Sequence, residues 1–308
     1  MPKKIVMIGA SGLIGGALCR FFVEKGDSVK GLTRSRENAA RMESQDIQPV
    51  LWDGRTLIGV EKHLEGTDAV INLAGENIAA GRWTKQKKEK ILKSRLDSVN
   101  QLVQALERVE DRPPVVVQAS AVGFYGSRSD DELDENAALG QGFMADVVKQ
   151  WEDASNALPG LGIRRILLRF GMVLARQGGA LKPLIIPFRF FVGGPIGKGQ
   201  QWMSWIHIHD VVRAVDFLID SRGCTGVFNL TAPQPVRNKE FARFIGQVLH
   251  RPSFFPVPGF VLKIILGEMA RELLLTSQRV LPARLSEAGF SFEYPTLEMA
   301  LKDLFVHK

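Results

Sequence analysis

Near-continuous apolar runs alternate with helix-period stretches over the first two-thirds of the chain. Residues 4–8 read as a first strand, and Leu13, Ala17, Leu18, Phe21 and Phe22 recur on one side of a helix over residues 13–25. Further strands are predicted at 28–33, 49–51, 69–73, 115–119 and 165–169, with a long helix from about 83 to 109. Strands that are apolar on both faces, with helices between them, specify a parallel sheet covered on both sides. Such a sheet takes ligands beyond the carboxyl ends of its strands. The expected class is α/β: a Rossmann-type, doubly wound parallel sheet with a smaller, mainly helical C-terminal region.

After residue 171 the pattern loosens. Gly178-Gly179, Pro183, Pro187, Gly193-Gly194-Pro195 and residues 197–199 predict a long loop region, and loops of such length are usually functional. Helices are expected over about 209–219 and 238–248, with a strand at 227–230 between them. From Pro252 to near Leu304 the chain reads as all-helical, which predicts domains 1–251 and 252–308. Residues 260–275 are apolar but interrupted by Lys263, Glu268, Arg271 and Glu272. They read as an amphipathic helix packed on its own protein or a partner.

A 45% hydrophobic and 24% charged composition excludes a disordered chain. Cys19 and Cys224 match no metal or redox spacing and are expected as free thiols in a reducing compartment. The N-terminus turns into glycines too early for a signal peptide, and no apolar run reaches the ~18 residues of a membrane span. A cytoplasmic protein with no membrane partner is expected. The net charge of +7 is spread along the chain, and the densest basic run, residues 85–90, lacks interleaved aromatics. Nucleic acid is therefore not an expected partner, whereas an anionic small ligand suits the excess.

The chemistry starts at Gly9-Ala10-Ser11-Gly12-Leu13-Ile14-Gly15, between the first strand and the first helix. In this context the first glycine permits a tight turn, the second lets backbone approach a pyrophosphate, and the third lets helix and strand pack closely. The second strand ends at Thr33-Arg34, with no Asp or Glu between Val29 and Arg36. A carboxylate there would hold the ribose 2′-hydroxyl of NAD; Arg34 and Arg36 instead offer cations for a 2′-phosphate, so NADP(H) is the expected cofactor. His207-Ile208-His209-Asp210 suggests a metal site but has no further ligand nearby, and Asp210 reads as a helix N-cap.

These residues resemble the short-chain dehydrogenase/reductase superfamily of the extended, epimerase-like kind. The matching pieces are the glycine loop, Asn72-Leu-Ala-Gly75, Ala119-Ser-Ala-Val-Gly-Phe-Tyr-Gly126, Leu168-Arg-Phe-Gly-Met-Val-Leu174 and Trp205-Ile-His-Ile-His-Asp210. Residues 75–83, Ser94-Arg-Leu96 and Gly193-Gly-Pro-Ile-Gly197 are similar to the subgroup called "epimerase family protein", whose members carry an extra helical C-terminal domain. The resemblance implies cofactor contacts from Gly9, Ser11, Gly12, Leu13 and Ile14. It implies Thr33 and Arg34 at the adenosine ribose, Asp53 near the adenine, and Leu73, Ala74 and Gly75 along the ribose and nicotinamide. Arg95 is a further candidate.

The departure from the family concerns its Tyr-x-x-x-Lys pair, in which the lysine lowers the pKa of the tyrosine that acts as acid or base. Ser129 and Glu298 stand four residues after the only two tyrosines, Tyr125 and Tyr294. Alignment of the helix 143–152 on Glu152 puts Met144 and Val148 at the two positions, with Lys149 one place off. The family's catalytic Ser or Thr falls at Ala121, one residue after Ser120. Tyr125 and Ser120 are the candidate catalytic residues, with simple packing as the competing role of Tyr125, and Arg169 is a candidate for an anionic substrate. Two readings result. One is an NADP(H)-dependent oxidoreductase or epimerase acting on a small carbonyl or sugar-like substrate. The other is a non-catalytic NADP(H)-binding sensor or assembly protein. A homodimer is a possible assembly.

Overall fold

The computed structural model describes residues 2–52 and 59–306. In chain order the elements are β1 (Lys4–Ile8), α1 (Leu13–Glu24), β2 (Ser28–Thr33), α2 (Arg36–Glu43), β3 (Gln48–Leu51), α3 (Glu61–Leu64), β4 (Ala69–Asn72), α4 (Lys85–Glu107) and β5 (Val115–Ala121). Then follow β6 (Glu132–Leu133), α5 (Phe143–Asp153), β7 (Arg164–Phe170), β8 (Met172–Ala175), β9 (Gly178–Gly179), α6 (Leu181–Arg189), β10 (Trp202–Met203), β11 (Trp205–His207) and α7 (Ile208–Asp220). The chain ends with β12 (Gly226–Leu230), β13 (Val236–Arg237), α8 (Asn238–Leu249), α9 (Gly259–Leu266), β14 (Arg279–Val280), α10 (Ala283–Glu287) and α11 (Leu297–Phe305).

Seven strands form one parallel sheet in the order β12-β7-β5-β4-β1-β2-β3. The period-2 geometry of a strand explains why both faces had to be apolar. Ile5 and Met7 of β1 face α1 and α7, packing with Leu18, Phe22, Val211 and Val215. Val6 and Ile8 face the opposite way and pack with Val99, Leu102 and Leu106 of α4. The strand order reverses between β1 and β4, and the crevice at that reversal is where a doubly wound sheet takes its ligand.

The predicted core strands and helices are all present, with ends shifted by a residue or two. Residues 171–199 differ from expectation, for they contain β8, β9 and α6. Leu181, Ile185 and Phe188 follow a helical period and are buried, whereas Pro183 and Pro187 had read as breakers. Pro183 sits in the first turn, where a backbone N–H has no intrahelical partner to lose. Pro187 comes two residues before the helix ends.

The C-terminal stretch is not all-helical either. Gly197 N–H donates to Val257 O and Val257 N–H to Pro195 O, so residues 195–197 and 257 run side by side. β14 pairs in parallel with β6. Leu297, Ala300, Leu301 and Leu304 of α11 join Phe241, Ala242 and Ile245 of α8 in one core cluster. Leu285 of α10 packs with the sheet core. The C-terminal residues thus complete the core of the main fold. By contrast, α9 has no fully buried residue. Among the described residues no helix is long and apolar enough to cross a membrane.

Candidate functional site

The loop after β1 turns through Gly9 at φ +91°, a conformation that favours glycine. Gly12 N–H donates to Gly9 O at 3.0 Å, closing the turn. Gly12 is the N-cap of α1, and no side chain caps that helix end. Its first amides are thus left to the crevice, together with the positive end of the helix dipole. Gly15 holds helix and loop together: a Cβ there would lie 2.2 Å from Gly9 O. Ser11 and Gly12 are exposed, and Leu13 and Ile14 are half-buried. This cradle suits a phosphate or pyrophosphate.

Thr33 is buried at the end of β2, and its Oγ1 accepts from Ser35 N–H at 3.3 Å. Arg34 beside it is exposed and makes no hydrogen bond or ion pair among the described residues. Ser35 caps α2 by accepting from Asn38 N–H. Asp53 lies outside the described residues.

The loop after β4 forms the facing wall. Leu73 N–H donates to Ile8 O, and Ala74 N–H donates to Asn72 Oδ1 at 3.2 Å. Asn72 is wholly buried and is fixed in turn by Gln118 and Ser98. Gly75 is exposed, and a Cβ on it would lie 3.2 Å from Cζ of Arg95. Arg95 is 8% exposed, donates to Ile91 O and Glu76 O, and lies 4.9 Å from the Trp151 ring. Its Nε has no hydrogen-bond partner among the described residues. Burial pushes the Arg95 pKa down to about 10, and the Glu76 charge opposes this only in part. A hydrogen bond from Lys87 holds the Glu76 carboxyl below its usual range, and the charges of Lys87, Lys90 and Arg34 add to it. An anion entering here meets backbone amides on one side and incompletely paired cations on the other.

The candidate catalytic groups, Tyr125 and Ser120, both lie in the core. Tyr125 is fully buried, with its hydroxyl donating to Asn229 Oδ1 at 2.7 Å and accepting from Arg169 Nη1 at 2.9 Å. Burial raises its pKa against the opposing effect of Arg169. Ser120 is 2% exposed and donates to Glu152 Oε1 at 2.5 Å. Arg169 grips Glu152 through two parallel bonds of 2.8 Å. Neither hydroxyl has a free face for a substrate, because both belong to a closed buried network. Arg169, already paired, has no free charge for a substrate anion. The one sequence signal for this network is Arg169 itself, a charge within the buried, otherwise apolar part of a core strand, which demands an internal partner but does not say which.

The two positions of the Tyr-x-x-x-Lys pair are apolar in space as well as in sequence. Met144 and Val148 are buried with Trp83, Ile91, Val147 and Met269, against Gly123. Lys149 points away and pairs with Asp153 on the exposed side of α5. If Tyr125 packs and does not react, Tyr125→Phe should cost about 1–2 kcal/mol of stability by leaving Asn229 Oδ1 and Arg169 Nη1 without that partner. Dinucleotide affinity should be unchanged. Urea unfolding and a titration on the same sample check both.

The histidine pair builds no metal site: His207 Nε2 lies 3.3 Å from Asp303, His209 pairs with Glu293, and no metal-capable cluster exists among the described residues. His207, not Asp210, is the N-cap of α7, its Nδ1 accepting from His209 N–H. Asp210 is wholly buried and accepts from Glu293 and Tyr294 N–H, which ties the C-terminal segment to α7.

A sequence model of the NAD dependent epimerase/dehydratase family matches residues 5–142, and one described as a domain of unknown function (DUF1731) matches residues 257–304. The chain is 36% identical over 306 residues to the epimerase family protein YfhF of Bacillus subtilis, covering 99% of each. It is 38% identical over 304 residues to the chloroplastic SDR39U1 homolog of Arabidopsis thaliana, covering 97% of this chain and 85% of that protein. The crystal structure of human epimerase family protein SDR39U1 with NADPH is similar at a TM-score of 0.89 and 32% identity, over 99% of this chain and 100% of that one.

Proposed function

The chain belongs to the epimerase family proteins of the NAD-dependent epimerase/dehydratase family, and from that premise we propose that it binds NADP(H) in the crevice between β1 and β4. Arg34 carries the preference for the 2′-phosphate. It is an exposed cation at the end of β2 with no hydrogen bond or ion pair among the described residues, where an NAD site would place a carboxylate. The uncapped N-terminus of α1 fits the pyrophosphate, and the similar human structure is one crystallised with NADPH. Leu73, Ala74 and Gly75 line the ribose and nicotinamide side, with Arg95 bracing them from beneath.

When bound, NADP(H) could supply or accept a hydride, and the surrounding residues decide whether that capacity is used. Met144 and Val148 offer no proton and no charge, and Tyr125 and Ser120 are sealed in the core. That supports a cofactor-binding protein that senses or stabilises rather than one running tyrosine-assisted hydride transfer. A second reading, an oxidoreductase or epimerase acting on a small carbonyl or sugar-like substrate, is favoured by the glycine-rich stretch 193–197, which is ordered by backbone hydrogen bonds to 255–257 and is of the kind that shapes a substrate pocket. Its proton would come from solvent or the substrate itself. The test is NADPH oxidation against a broad carbonyl and sugar-nucleotide panel. Retained binding without turnover is expected, and turnover with any member would replace the binding reading with the enzymatic one.

A further inference from the structure

Exposed large apolar side chains are not scattered over this protein. Nine of the thirteen among the described residues fall in two stretches: Ile186, Phe190, Phe191 and Val192, and Phe254, Phe255, Phe260, Ile264 and Ile265. The two stretches are neighbours in space. Phe255 N–H donates to Gly193 O, Val257 N–H donates to Pro195 O, and the Arg251 guanidinium lies 4.4 Å from the Phe191 ring. Phe190 and Phe254 are 74% and 71% exposed. Holding that much aromatic surface in water is unfavourable, and contiguous patches of this kind mark an interaction surface.

The charges in these segments say what covers it. Residues 177–203 and 249–267 contain Lys182, Arg189, Lys198, Arg251 and Lys263 and not one Asp or Glu. All five cations are exposed. A two-fold contact with a second copy would set this surface against itself, with cations facing cations and no carboxylate from these segments to answer them. An anionic bilayer surface answers both features. Phenylalanines enter the boundary between headgroups and acyl chains, while lysine and arginine heads stay with the phosphates. The geometry of α9 agrees: Phe260, Ile264 and Ile265 stand out from an eight-residue helix with no buried residue, beside Lys263. The apolar run 260–275, expected to pack on protein as an amphipathic helix, does so in part: Met269 and Ala270 are buried, whereas Phe260, Ile264 and Ile265 are left uncovered.

We propose that the surface formed by residues 186–192 and 254–265 docks the protein reversibly on anionic phospholipid membranes. No element spans the bilayer; the contact is interfacial. Vesicle co-sedimentation of the full chain tests this, using phosphatidylcholine alone and phosphatidylcholine mixed with phosphatidylglycerol. The chain should pellet with the anionic vesicles, and less at high salt as the cations are screened. The variant Phe190→Ser/Phe254→Ser/Phe260→Ser should weaken binding by at least about tenfold, as loss of inserted aromatic area requires. Its circular dichroism and melting temperature should stay close to those of the parent, because all three side chains are exposed. A parent chain that stays in the supernatant overturns the proposal, as does pelleting that the triple variant leaves intact. A stable dimer in sedimentation equilibrium that the triple variant splits would assign the surface to a second copy instead and equally overturn it.

Discussion

Gly15→Ala is expected to abolish measurable NADPH binding, raising Kd by about a hundredfold or more, and to cost about 1–3 kcal/mol of stability through overpacking. The added Cβ would stand 2.2 Å from Gly9 O and 2.9 Å from Gly9 C. Both are backbone atoms of the turn, so no flexible side chain can give way. Relief requires α1 to move off β1 or the turn to open, and either displaces the helix-end amides that would face the pyrophosphate. The neighbouring change is the control. A Cβ at Gly16 would meet its nearest atoms at 3.6 and 3.7 Å, ordinary contact. Gly16→Ala should therefore leave binding intact and stabilise α1 by up to about 1 kcal/mol. Fluorescence titration and chemical denaturation of the two variants, made one residue apart, separate the phosphate cradle from a general intolerance of the helix.

The second large effect lies beneath the site. Arg169→Met should destabilise the fold by about 3–5 kcal/mol, because it leaves a buried carboxylate without its cation. Glu152 is 7% exposed and would keep only the Ser120 hydroxyl as a partner among the bonds it now makes to side chains. The double change Arg169→Met/Glu152→Met should recover most of that loss, since the apolar pair carries no buried charge. Urea unfolding of the singles and the double measures it. A loss of nucleotide binding with unchanged stability in Arg169→Met would mean instead that Arg169 serves the ligand.

The sheet was legible because a doubly wound strand is apolar on both faces. Runs such as Ile5 to Ile8 therefore cannot alternate, and they stand out from the amphipathic helices between them. The glycine loop was legible for a related reason: each glycine answers a local need of turn or close packing that the sequence context displays. Helix α6 was hidden by its prolines, which break helices on average; Pro183 costs little in a first turn, and Pro187 comes only two residues before the helix ends. β14 was hidden by its length of two residues, too short to show any period. At the site, the loss of the Tyr-x-x-x-Lys pair could be read from spacing alone. The fates of Tyr125 and Ser120 could not. Whether a hydroxyl faces a crevice or a buried arginine depends on partners, Asn229, Arg169 and Glu152, brought together from distant parts of the chain.

The central claim is that the crevice between β1 and β4 holds NADP(H) and that Arg34 reads its 2′-phosphate. Calorimetric titration of the parent chain and of Arg34→Ala with NADPH and with NADH tests it most directly. The parent should bind NADPH at least about tenfold more tightly than NADH, the scale of one charge-assisted contact, and Arg34→Ala should bring the two affinities together. NADH binding as tightly as NADPH to the parent, or a preference for NADPH that survives Arg34→Ala, would contradict the account.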